Sequence, residues 1–333
     1  MAIPIISSKP LSKKLRKLKN RFMPAGPSAA SVPLVEYLKY NYYTKFTPSF
    51  PKIIQVQTQY GCNARCVFCP MGREQGAVKG RMSEDTFARI VEEAVKNDCR
   101  VLSPYLQNDP LVDKQLHKKI QIIREVRGKR KYPKTKIITN GGLLNEVKAY
   151  QLIEAGLEKI VFSVHGVDAD IYNGIMNGPK FDKVVENIER FVKVKKELGA
   201  KHPDIEIWAV LTKDVEAQLQ ETKAFWKERG IYFKARQLDN RAQPDIVDNV
   251  DLAVEDLEWK YAFYCTIPFW RAWILQNGDM VLCCVDWERS QVFGNIHDNT
   301  IKEIWNNKAY RTYRQRMKDR DLVGTLCENC QGT

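Results

Sequence analysis

Nine cysteines are spread unevenly through the 333 residues, and their grouping is the first sign of chemistry. Cys62, Cys66 and Cys69 stand together in "YGCNARCVFCPMG", while Cys265, Cys283, Cys327 and Cys330 form a second group that ends in a Cys-x2-Cys pair. Thiolates are soft ligands suited to zinc or to iron–sulfur clusters. Three of them can hold three irons of a cubane and leave the fourth open to a small molecule, whereas four would saturate it. Zinc competes for both groups, but no His or fourth Cys lies near the first to complete a tetrahedron. For the second group an all-cysteine zinc site stays open. Disulfides are disfavoured, because nine is odd and a reducing compartment keeps thiols free.

The compartment is read from the amino terminus. "MAIPIISSKPLSKKLRKLKN" places its charges after its short apolar stretch, the reverse of a secretory signal, and no run of about 18 apolar residues appears. A cytoplasmic protein without a transmembrane segment is expected. With 44% hydrophobic and 10% aromatic residues the chain can bury a large core. The net charge of +13 reads as a lysine-rich surface, with an acidic redox partner as the sharper alternative and nucleic acid disfavoured. Much of it lies in "KKLRKLKNRF" (13–22), a basic stretch that reads as a solvated helix or a surface-binding segment.

To position these cysteines the sequence offers alternating β-rich and helical runs. Strands are expected at 53–58, 101–105, 136–139, 159–164, 205–211 and 231–236, and helices at 83–97, 110–127, 144–155, 181–199 and 214–229. Ser83 can cap the first helix, with Glu84 and Asp85 at its positive end. Six βα units are fewer than the eight of a closed barrel, so a partial (β/α)6 TIM-like barrel is expected, with ligands at the carboxyl ends of its strands. The polar, acidic run 238–259 breaks the rhythm. The expected organisation is therefore a basic extension at 1–50, a barrel at 51–237, a linker at 238–259 and a small module at 260–333.

The first cysteine group follows the first strand, and "CNARCVFC" resembles the radical S-adenosylmethionine (SAM) superfamily, whose hallmark is Cys-x3-Cys-x2-Cys with an aromatic residue, here Phe68, before the last cysteine. The resemblance implies a 4Fe-4S cluster on Cys62, Cys66 and Cys69 whose open iron binds SAM. It also implies an electron from the reduced cluster, supplied by a flavodoxin- or ferredoxin-type reductant, that cleaves SAM to a hydrogen-abstracting 5′-deoxyadenosyl radical. "YLQNDPL" (105–111) stands where the family has a Gly-Gly-Glu-Pro-like segment. Its glycines are replaced, so Asn108 and Asp109 are the nearest candidates for the SAM amino group. "ITNG" (138–141), with Thr139 and Asn140, is similar to the ribose-side segment, and Ser163 and His165 end the fourth strand at the same rim.

The second group, Cys-x12-Gly-x4-Cys followed by Cys-x2-Cys, resembles the SPASM/twitch extension of many radical SAM enzymes. Because the chain stops at Thr333, the shorter twitch form is expected, with one further 4Fe-4S cluster on Cys265, Cys283, Cys327 and Cys330. "QNGDMVLCC" is similar to its β-hairpin, with a tight Asn277-Gly278 turn. Consecutive side chains of a strand point to opposite faces, so Cys284 is not expected on the cluster of Cys283; it reads as core or as a hydrogen-atom donor. Cys99 reads as core. Arg236 and Arg241, at and beyond the sixth strand, are candidates for a substrate oxygen or carboxylate. The resemblance covers residues 50 to 331 and implies oxidation of an alcohol of a sugar or aminocyclitol, with epimerisation and peptide modification as alternatives.

Overall fold

The structure, a computed structural model, describes residues 34–72, 79–239, 242, 265–328 and 330. Six parallel strands, β1 (Ile53–Val56), β2 (Val101–Ser103), β3 (Lys134–Thr139), β4 (Lys159–Ser163), β5 (Asp204–Leu211) and β6 (Tyr232–Gln237), stand side by side in chain order. Three more, β7 (Arg271–Ile274), β8 (Asp279–Val281) and β9 (Val292–Asn295), continue the sheet beyond β1, giving the order β6-β5-β4-β3-β2-β1-β7-β8-β9. This is an open, partial barrel extended by a C-terminal hairpin.

Alternation explains which face is packed. Ile54 and Val56 of β1 are buried with Phe87 and Ile90 of helix α2 (Glu84–Lys96), which Ser83 caps through Thr86 N. Ile160 and Phe162 of β4 and Ile207 of β5 are buried with Val184, Ile188 and Phe191 of the longest helix, Phe181–Glu197. The apolar members of each strand thus cover the helices, and the residues between them line the concave side. Cys99 is fully buried in the first of these cores, and its thiol donates to Val101 O at 3.2 Å. The helix expected at 110–127 starts late: Asp109 caps a single 3-10 turn at Pro110–Val112 and the α-helix runs over Leu116–Arg127. The one expected at 214–229 is two helices, Lys213–Ala217 and Leu219–Glu228.

The C-terminal module is stitched to the barrel. β7 pairs in parallel with β1, with Ile53 opposite Arg271 and Val56 opposite Ile274. Arg89 of α2 donates to Ile296 O at 2.7 Å, and the Glu93 carboxylate accepts from Ile301 N and Lys302 N at 2.9 and 2.8 Å. These amides open the helix Ile301–Asn306, whose positive end the carboxylate complements. At the amino terminus the helix Leu34–Lys45 packs on the same module, where Tyr43 stacks on Trp270 at 5.1 Å. The stretch 13–22 and most of the expected linker lie outside the described residues. Among the described residues no helix is long and apolar enough to cross a membrane.

Candidate active site

The first cysteine loop leaves the carboxyl end of β1 and is held by backbone contacts. Arg65 N donates to Met176 O and Asn177 O at 3.2 and 3.0 Å, and Val67 N donates to Ile175 O at 3.0 Å. These carbonyls end the helix Ala169–Met176, an element absent from the expected set because its sequence, "ADIYNGIM", carries Gly and Asn. Asp168 caps this helix through Asp170 N and Ile171 N. Gly178 follows with φ +157°, and a Cβ there would lie 2.6 Å from Asn63 O. Gly178→Ala is therefore expected to cost about 1–3 kcal/mol and to lower iron retention at the Cys62 loop. Full iron content with an unchanged denaturation midpoint would show that the close approach is not needed.

The loop's thiols have the environment of ligands. Ala64 N and Asn140 Nδ2 point at the Cys62 sulfur from 3.4 and 3.7 Å. Burial, and then the Asp109 charge, push the free Cys62 thiol up to about 11, against the lowering by the Ala64 amide. Binding a metal there must release its proton. Cys66 touches Met176 Sδ at 3.6 Å, and Cys69 N donates to Cys66 O at 2.9 Å. Phe68, 4% exposed, meets the His165 ring edge-on at 5.2 Å, while His165 Nδ1 accepts from Val210 N at 3.0 Å. That bond places the proton of a neutral His165 on Nε2.

The loop after β2 departs from expectation. Asp109 is 3% exposed, and both of its carboxylate oxygens are engaged: Oδ1 accepts from Leu111 N (2.9 Å) and Oδ2 from Asn140 N (2.8 Å), with Thr139 Oγ1 donating to both. Burial pushes this carboxyl up, and the three donors oppose that. Asn108 turns back on its own loop, its Oδ1 accepting from Leu106 N at 2.9 Å. Both oxygens of Asp109, expected at the SAM amino group, are thus engaged in fastening the β2 loop to the β3 loop. Asn140 extends the link, donating to Asn63 Oδ1 at 2.8 Å beside the cysteine loop. Asp109→Ala would leave buried donors unpaired, at about 1–3 kcal/mol each. It is expected to weaken SAM binding about tenfold or more through this misplacement, with iron content intact. Equilibrium SAM binding that matches the parent would remove Asp109 from the site.

The second cysteine group lies at the other end of the barrel. β8 runs antiparallel to β7, with Val281 opposite Trp273, so the chain beyond Val281 descends to the amino end of β1. Cys265, Cys283, Cys327 and Cys330 line one small cavity together with Pro268, Val285 and Leu326. Tyr313 donates its hydroxyl to Cys327 Sγ at 3.5 Å. The buried Asp286 carboxylate organises the following turn by accepting from Ser290 N, Ser290 Oγ and Gln291 N. Asn277-Gly278 forms the hairpin turn as expected; Gly278 has φ +92°, and a Cβ would meet Asn295 Oδ1 at 2.7 Å. Among the described residues no three His, Cys, Asp or Glu side chains converge closely enough for a single ion. Four thiols around a shared cavity suit a polynuclear cluster.

Cys284 stands apart from these four thiols, beyond the end of the strand. The strand ends at Val281, so the rule of opposite faces no longer applies, and the Cys283 and Cys284 sulfurs lie 3.9 Å apart. That contact, with burial, pushes the Cys283 thiol well up. Gln107 Nε2 of the β2 loop donates to Cys284 O at 3.0 Å, and Cys284, Arg271 and Arg236 lie around the hydroxyl of the partly buried Tyr105. Cys284 thus stands between the second cavity and the barrel interior. Ser163 ends β4 opposite Trp208, and Arg236 Cζ lies 5.3 Å from the Trp208 ring. Arg241 lies outside the described residues.

Residues 56–200 match the family model described as the radical SAM superfamily. The chain carries a radical SAM domain. Residues 265–331 match SPASM, an iron–sulfur cluster-binding domain, so this radical SAM enzyme works with SAM and with 4Fe-4S clusters. It is 23% identical over 282 residues to the S-adenosyl-L-methionine-dependent 2-deoxy-scyllo-inosamine dehydrogenase of Niallia circulans, covering 84% of this chain and 92% of that one. With a probable GTP 3′,8-cyclase of Sulfurisphaera tokodaii it shares 26% identity over 54% of this chain and 53% of that one, so it spans about half of that relative. In fold it is similar to BtrN in complex with AdoMet and 2-DOIA (TM-score 0.57, 20% identity, 85% of this chain and 94% of that one). It is also similar to Streptococcus suis SuiB bound to S-adenosylmethionine (TM-score 0.64, 19% identity, 96% and 81%).

Proposed function

We propose that this radical SAM enzyme oxidises a secondary alcohol of a sugar or aminocyclitol, taking a hydrogen atom from the carbinol carbon with the 5′-deoxyadenosyl radical. The observation that carries this reading is the placement of two thiol sets at opposite ends of one barrel, with a lined interior between them. Cys62, Cys66 and Cys69 would hold a 4Fe-4S cluster that, when reduced, would supply the electron for SAM cleavage, and the second thiol set would hold an acceptor for the electron left on the substrate radical, whose hydroxyl proton would pass to solvent. The dehydrogenase relative supports oxidation as the outcome.

The chain's own residues divide the remaining work. Asp109 and Thr139 fix the two loops against which SAM lies, and Asn140 links them to the cysteine loop. Phe68 and His165 wall the same rim, with Ser163 opening onto the interior. Tyr105 and Arg271 stand near Cys284, and the Tyr105 phenol stays protonated because burial pushes it up. A flavodoxin- or ferredoxin-type reductant in the cytoplasm is the partner this chemistry calls for. Incubating the anaerobically reduced enzyme with SAM and candidate polyols is expected to give a ketone two hydrogens poorer than its parent. A product isomeric with the substrate would overturn oxidation. Epimerisation stays the second reading, because Cys284 lies on the interior side of the second cavity.

A further inference from the structure

The concave face of the barrel is basic. Lys136, Lys159, Lys234 and Arg236 stand on the strand positions that alternate with the helix-facing residues, and Arg271 projects among them from β7. Three of these cations gather on one ring: Lys136 Nζ lies 4.2 Å, Lys234 Nζ 5.4 Å and Arg236 Cζ 5.3 Å from the centre of Trp208. Against them stands the Glu206 carboxylate, which is already committed to Lys159 at 2.5 Å and to Trp208 Nε1 at 2.9 Å. Burial pushes Glu206 up, but these two bonds and the lysine charges outweigh it and hold it below its ordinary value. Among the described residues no ion pair joins Lys136, Lys234, Arg236 or Arg271 to a carboxylate.

Lys234 and Arg236 are exposed on the edge strand β6, yet instead of spreading into solvent they converge with the half-buried Lys136 on the one ring of Trp208. Lys136 is pushed down to about 8 by burial and then by Lys159, with Arg271 and Arg236 adding to it and the Glu206 charge opposing, so the group carries a net repulsion. An amine-bearing substrate would raise that repulsion, while a dianion would relieve it. Arginine forks and compact ammonium groups together suit phosphate oxygens.

We infer that the alcohol oxidised here carries a phosphate ester, held over Trp208 by Lys136, Lys234 and Arg236 and faced by Arg271. This rests on the proposed function, since it places the substrate in the barrel interior, and it narrows the sugar class to its phosphorylated members. The SAM carboxylate could reach the same cations, so the test keeps SAM saturating throughout. Calorimetric titration of the anaerobic holoenzyme uses inorganic phosphate as probe, with acetate and glucosamine as comparison arms. Saturable phosphate binding is expected, weakened about tenfold or more in Arg236→Gln and in Lys136→Met. Acetate and glucosamine are expected to give no comparable binding. Because Lys136→Met removes a repelled charge, its thermal midpoint is expected to stay level or rise, which a lysine needed for folding would not allow. Absent phosphate binding, binding unchanged in both variants, or acetate or glucosamine binding as well as phosphate would each overturn the inference. The same preparations are assayed for 5′-deoxyadenosine: cleavage without phosphate binding sinks the phosphate site alone. Phosphate binding without cleavage upholds the site and sinks the radical reading.

Discussion

Replacing Cys62, Cys66 and Cys69 together by Ala is expected to abolish 5′-deoxyadenosine formation and to halve the iron of the reconstituted protein. Two cubane clusters require about eight irons, and the second thiol set alone about four. The halving follows from the architecture: the two sets lie at opposite ends of β1, each with its own local support. Arg65, Val67 and Asn140 hold the first loop, and Asp286 and Tyr313 organise the second. Loss of one set should therefore leave the other loaded. A triple variant that still makes 5′-deoxyadenosine would remove these cysteines from SAM cleavage, and one that loses all its iron would show that the two sets form a single folding unit.

The cysteine spacing was legible because ligand chemistry fixes it locally, and the strands because their apolar positions repeat with period 2. What escaped depends on distant partners. Nothing in "RAWI" announces that β7 will pair with β1, more than two hundred residues earlier, yet this pairing puts the second thiol set at the far end of the barrel. Asp109, a candidate for the SAM amino group in the sequence, is tied to Thr139 and Asn140 across the strands, a link that depends on the fold. For Cys284 the expectation holds that it stands apart from the other four thiols, but the reason differs, since β8 stops at Val281 and alternation along a strand does not reach it. Lys136, Lys234 and Arg271 passed as surface charge, since a lysine in sequence gives no sign of which face of a strand it occupies. Trp208 was counted only as part of a strand.

In the proposed oxidation, the variant Cys327→Ala/Cys330→Ala is expected to cleave SAM yet yield no ketone, and Cys284→Ala is expected to keep ketone formation. The argument turns on where the electron of the substrate radical goes. Cys327 and Cys330 line the second cavity, so their removal strips half of the thiols around it and with them the acceptor. Cys284 is the fifth thiol near this end, beside Cys283 and facing Tyr105 and Arg271. If it donated a hydrogen atom, the product would be an epimer, and because thiol hydrogens exchange with water, a reaction in deuterium oxide would add one deuterium to the product carbon. Cys284→Ala would then stall after 5′-deoxyadenosine had formed. Oxidation is favoured because the four thiols of the cavity are complete without Cys284, leaving it outside the ligand set. Mass spectrometry of the product made in deuterium oxide separates the two: a ketone without deuterium at the carbinol carbon supports electron transfer to the second centre, and an isomer carrying one deuterium there establishes the cysteine donor instead.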